Sequence, residues 1–159
     1  MSDEVPETDD RDPAHLVEAS VVHALQLART WTLWDGRPIL ADDRIYTPHK
    51  AIRRIADHLV DHLAELEARL AGQAPLVDRW HHSAITTPAD LALFTDEDLD
   101  EATSRLTRLA QIWRIRLNSI DDERRDRVED SAWTLRQVTF HVSSTYYADA
   151  VGDLGVRVS

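Results

Sequence analysis

Apolar residues recur along most of the chain at three- and four-residue steps, the period of helices with one buried face. The first run is Val17, Val21, Ala24, Ala28 and Trp31. Asp12 before Pro13 predicts its start, because a carboxylate caps free amides and proline fits the first helical position. Asp35-Gly36, with Pro38 beyond, predicts its stop. Thr47-Pro48 repeats the start signal, and Ile52, Ile55, Leu59, Leu63, Leu66 and Leu70 form the clearest stripe before Gly72. A third stripe, Leu99, Ala102, Leu106, Leu109, Trp113, Leu117 and Ile120, comes after a Thr95 to Asp98 capping box, with Phe94 placed to staple onto Leu99. Thr134 with Gln137 is another capping box, Trp133 is placed to staple onto Val138, and a fourth helix is predicted from here to about Asp153.

The segments between these runs read as connections. The stretch up to Pro48 is predicted as a loop. A longer loop spans Gly72 to Phe94, where Pro75, Pro88 and the polar run Arg79-Trp80-His81-His82-Ser83 break the period. Asp121 to Asp130 reads as a charged connector. The expected fold class is therefore all-α, an up-down four-helix bundle with long loops between helices one and two and between helices two and three. On the fourth helix, Leu135, Val138, Val142 and Tyr146 define one stripe, while Phe140, Tyr147 and Val151 fall nearly opposite. That second face either meets another subunit in a homodimer or packs under the long loop; periodicity does not separate the two.

Composition narrows the class. A chain of 159 residues, 43% hydrophobic and 30% charged, suits one globular domain, expected over 12–159 after a disordered acidic tail over 1–11. The 29 acidic against 18 basic residues give a formal charge of -11, which repels phosphate backbones and anionic membranes, so neither nucleic acid nor membrane is expected as partner. The absence of cysteine removes disulfides, thiolate nucleophiles and cysteine-type zinc sites, so any metal must use His, Asp or Glu. The N-terminus lacks the basic-then-apolar order of a signal peptide and no run approaches the roughly 20 apolar residues of a membrane span, which makes the cytoplasm the expected compartment.

Two segments carry candidate chemistry. Ile52-Arg53-Arg54-Ile55-Ala56-Asp57-His58-Leu59 in the second helix and Leu135-Arg136-Gln137-Val138-Thr139-Phe140-His141-Val142 in the fourth share their apolar, arginine and histidine positions. Together with Trp133-Thr134 they resemble the helices of the DinB-like superfamily, which includes the YfiT-like and mycothiol-dependent maleylpyruvate isomerase branches. The resemblance implies a divalent metal held by three histidines, one on the second helix and two spaced four apart on the last; several members work with low-molecular-weight thiols. His58 matches the second-helix ligand. On the last helix the positions beyond His141 at four-residue steps are Thr145 and Asp149, and threonine is a poor ligand.

A local substitute exists. His58 and His62 lie four apart, the spacing that brings two imidazoles to one helical face, and His141 can be the third ligand. His141, Thr145 and Asp149 are expected to form a polar line beside the core, so the candidate metal ligands are His58, His62, His141 and Asp149, with Thr145 and Tyr146 lining the pocket and zinc, nickel or manganese as the candidate ion. The competing reading makes these ordinary boundary histidines bonded to Asp57, Asp61 or backbone. His81 and His82, beside Trp80, are expected to anchor the long loop or to cover the pocket. Trp31, Trp34, Trp113 and Trp133 read as core and staple residues.

Two functions are compatible with these features. One is a metal-dependent enzyme acting on a small molecule, of hydrolase or low-molecular-weight-thiol transferase type. The other is a non-catalytic homodimeric bundle with an eroded metal site that binds a small molecule or a partner.

Overall fold

The computed structural model of the chain describes residues 4–77, 84–130 and 132–156. His81 and His82, with Trp80, lie outside the described residues.

The helix starts fall where the capping residues stand. Asp12 accepts from the Ala14 amide at 3.0 Å and opens α1, Pro13–Ala28. Thr47 accepts from the Lys50 amide at 3.1 Å and opens α2, Pro48–Leu70. The reciprocal box of Thr95 and Asp98 opens α3, Asp96–Asn118, and that of Thr134 and Gln137 opens α5, Leu135–Val142. Each box satisfies two amides that the helix itself leaves without partners. The apolar stripes face inward as their period requires: Val17, Leu59, Leu66, Leu106, Trp113, Leu117, Leu135 and Val138 are almost wholly buried. α1 lies mainly against α3, α2 packs against both α3 and the segment 146–151, and α5 touches both α1 and α2. The Trp113 indole donates to the Leu59 carbonyl at 3.1 Å, tying α3 to the middle of α2. Among the described residues, no helix is long and apolar enough to cross a membrane.

Four local expectations need correction. First, α1 stops at Ala28 and Trp31 sits in a separate 3-10 turn, Trp31–Leu33, well before Gly36. The Thr30 hydroxyl takes the Leu27 carbonyl at 2.7 Å, in the way short hydroxylated side chains compete with helical bonding, and the Trp31 indole is held by the Gly152 carbonyl at 2.7 Å. Second, the first connection contains an antiparallel hairpin, β1 Ile39–Ala41 with β2 Arg44–Tyr46, in the register Ile39 with Tyr46. Its two-residue turn is Asp42-Asp43, with Asp42 at φ 52°, a left-handed conformation that aspartate tolerates. Third, the charged connector holds a short helix, α4, Asp122–Asp126, capped by Asp121.

The fourth correction bears on the site. The last helix is not continuous to Asp153: α5 ends at Val142, and α6, Tyr146–Val151, begins after a break at 143–145. Thr139 bonds the Leu135 carbonyl at 2.9 Å and Ser143 the Thr139 carbonyl at 2.7 Å, so hydroxyls crowd the carbonyls that the next turn would use. The break turns α6 relative to the faces expected of one straight helix. Tyr146, predicted in the core stripe, is 41% exposed, while Tyr147, predicted on the opposite face, turns toward α2. Phe140 lies under the Arg11 guanidinium, 5.5 Å from its ring centre, and Val151 is buried within the chain.

Replacing the fully buried Leu106 by alanine is expected to lower stability by about 3 kcal/mol, through lost transfer energy and the cavity left behind. Leu93→Ala, at a position 61% exposed, should cost under about 0.5 kcal/mol. Urea denaturation of the two variants measures the difference.

Candidate metal centre

α2 presents His58 and His62 one turn apart, and the first half of the broken last helix presents His141 toward them. The ring centres lie 4.9 Å (His58 to His62), 4.6 Å (His58 to His141) and 5.0 Å (His62 to His141) apart. One ligating atom from each lies within 4.8 Å of the others. The Nε2 atoms of His58 and His141 are 2.9 Å apart, so one imidazole donates its proton to the other. Trp133 stands edge-on against His141 at 5.0 Å between ring centres, and Tyr147 against His58 at 5.8 Å.

A carboxylate orients the third ring. Glu65 Oε1 lies 2.9 Å from His62 Nδ1, one turn further along α2, and Glu65 Oε2 accepts from Arg69 Nη1 at 3.3 Å. An ionised carboxylate only accepts, so Nδ1 carries the proton and Nε2 is the nitrogen left to ligate. Burial works to raise the Glu65 pKa, but the hydrogen bond and charge of His62, aided by Arg69, outweigh it and hold the group below its ordinary value. His58 is pushed down to about 3, first by burial and then by the neighbouring His62, His141 and Arg54. His141 is lowered too, mainly by burial and secondarily by His62, with Glu65 opposing. His58 and His141 therefore present neutral, lone-pair-bearing nitrogen at neutral pH, the form that ligates a metal.

The donor set fits a divalent transition ion. Two nitrogens at the usual 2.0–2.1 Å from a tetrahedral zinc lie about 3.3 Å from each other, a spacing that the 2.9 Å contact and the 4.8 Å limit of this cluster bracket. The proton now shared between His58 and His141 is what an ion would replace. Beside His58 lies a cavity of about 10 Å³, walled by Ser20, Ser144, Thr145 and Tyr147 among others. That is room for about one water.

Of the residues singled out in the sequence, the structure brings together His58, His62 and His141 and leaves Asp149 apart. The Asp149 carboxylate accepts from His23 Nε2 and from the Thr145 hydroxyl, both at 2.7 Å, because the break before α6 removes it from the line of His141. Thr145 does wall the small cavity. Tyr146 does not: its hydroxyl donates to the Asp42 carboxylate on the hairpin turn, and Tyr147 takes the place beside His58. Sequence reasoning passed over Glu65 and Arg69, although the three-residue step from His62 to Glu65 and the four-residue step from Glu65 to Arg69 were a usable signal. It also passed over His23, which had none.

In metal-free protein, stability is expected to fall as pH drops from about 6.5 toward about 3, because unfolded His58 binds a proton near 6.5 whereas the folded ring resists until about 3. The slope contributed by such a group approaches about 1.4 kcal/mol per pH unit, and His58→Ala should reduce it. Urea titrations across this window test the assignment; a profile equally steep in wild type and variant would count against it.

No family model, curated protein or solved structure matches the chain.

Proposed function

We propose that the protein is a metal-dependent enzyme acting on a small molecule, with a divalent ion held by His58, His62 and His141 and one coordination position left open. The observation that carries this reading is the convergence of three imidazoles from two helices within 4.8 Å, one of them oriented by a carboxylate that an arginine backs. An all-nitrogen set without Asp149 favours zinc or nickel over manganese. In this reading α1, α2, α3 and the α5 and α6 pair together make a four-helix bundle of the DinB-like kind, supported by the capped helix order and by the placement of His58 and His141 on the second and last helices.

Such an ion lowers the pKa of bound water toward neutrality, polarises a carbonyl or stabilises a thiolate, which suits hydrolysis or low-molecular-weight-thiol transfer. The chain's own groups divide the remaining work. Glu65 and Arg69 fix the His62 tautomer. Trp133 and Tyr147 pack against the imidazoles and restrict water around them. Thr145 and Ser144 border the small cavity next to His58, where a water or substrate oxygen can be held.

One observation favours a second reading, a non-catalytic bundle with an eroded site: Thr145 and Asp149 bond to each other, and Asp149 to His23, instead of extending a ligand run from His141. Elemental analysis of tag-free protein purified without chelator separates the two. The enzyme reading expects about one zinc or nickel per chain, lost in His58→Ala and retained in Asp149→Asn. A wild-type protein without transition metal that also takes none up on dialysis would overturn it in favour of the second.

A further inference from the structure

The inward line of α2 does not end at His58. Four and eight residues earlier stand Arg54 and Lys50, 8% and 2% exposed, and among the described residues no ion pair joins either to a carboxylate. Lys50 Nζ donates to two neutral acceptors, the Ile45 carbonyl at 2.6 Å and the Thr86 hydroxyl at 3.1 Å. Asp90, the carboxylate nearest in influence, is taken by Arg53 at 2.6 Å. Arg54 is less satisfied still. Its Nη2 donates to the Tyr147 hydroxyl at 2.8 Å, and among the described residues its buried Nε and Nη1 have no hydrogen-bond partner. The Tyr46 hydroxyl is buried too, and near it among the described residues stands the side chain of Arg44, another cation. Burial holds Lys50 below its ordinary pKa, and the charges of Arg54, Arg53 and Arg44 push the same way against Asp90.

Two neighbouring cations out of water without an anion are costly, and a guanidinium with open donors costs more than one fully bonded. Surface acidity does not relieve this, since a net charge of -11 is screened over about 8 Å at physiological salt. What relieves it is an oxyanion. We infer that Arg54, with Lys50 and the Tyr46 hydroxyl, is the seat for the carboxylate of a small organic acid, which is the substrate class of the neighbouring histidine centre. Nη2 is a nitrogen of the guanidinium's bidentate edge, and Tyr147 now occupies it as a ligand oxygen would. Tyr147 is half-buried on the short α6, its ring 4.5 Å from the Arg54 Cζ and 5.8 Å from the His58 ring, so it stands between the seat and the imidazoles and is the wall that an arriving acid displaces. Arg54 and His58 are one turn apart, about 6 Å along the axis, which suits an acid whose reacting group is only a few bonds from its carboxylate. The choice of substrate class rests on the metal-enzyme reading; the seat itself does not.

Calorimetric titration of EDTA-treated protein with malonate and, separately, with inorganic phosphate, each against chloride at matched ionic strength, tests the seat without any metal. Saturable malonate binding, weakened at least tenfold in Arg54→Met and kept in His58→Ala, is the expected result. Tyr147→Phe, which frees Nη2, should bind malonate at least as tightly as wild type. If Arg54→Met fails to fold, Lys50→Met takes its place, with weakened binding again expected. Phosphate binding with malonate excluded would overturn the carboxylate assignment. No saturable binding of either anion to the wild type, or binding unchanged in the Arg54 variant, would overturn the seat. Binding lost in His58→Ala would place the anion on the imidazoles instead. Absence of metal with the seat intact would overturn the enzyme reading alone.

Discussion

A line of nitrogen-bearing side chains, Lys50, Arg54, His58 and His62, runs at four-residue steps along the inward side of α2, and much of the neighbouring structure compensates it. Polar groups out of water must be bonded or charge-matched, and each member of the line is met differently. Lys50 is met by the hairpin, whose Ile45 carbonyl takes its ammonium. Arg54 is met by Tyr147 from α6. His58 is met by His141 from α5, and His62 by Glu65 of its own helix, backed by Arg69. The elements that depart from regular helix, the hairpin and the broken last helix, are those that supply partners to this line.

That dependence explains which parts could be read from the chain. The helix starts were legible because capping is local: Asp12, Thr47, Thr95 and Thr134 each bond an amide two or three residues ahead. The approach of His58, His62 and His141 was legible because one spacing along a helix and one matching pattern on another were enough to suggest it. The hairpin was not, since its turn is Asp-Asp without glycine and its first strand, Ile39-Leu40-Ala41, is apolar throughout with Leu40 exposed, so no alternation of apolar and polar residues marks it.

The break at 143–145 cost most. Helical-wheel reasoning carries a residue's direction forward only while the helix continues, and the hydroxyl-rich run Thr139, Ser143, Ser144, Thr145 ends it. Beyond that point the expected faces exchange: Tyr146 leaves the core for Asp42, Tyr147 enters beside Arg54, and Asp149 turns to His23. The run is visible in the chain, and hydroxyl-to-carbonyl bonding competes with helix. The capping box at Thr134 fixes where a helix starts and says nothing of how far it continues.

Three imidazoles, and not a mixed set with Asp149, are the proposed cage for one ion. X-ray absorption of the zinc-loaded protein tests this most directly, because imidazole rings add outer-shell scattering that carboxylates lack. The predicted result is three imidazole nitrogens at about 2.0–2.1 Å with one further light atom. A first shell with fewer than two imidazoles, or dominated by carboxylate oxygen, would contradict it.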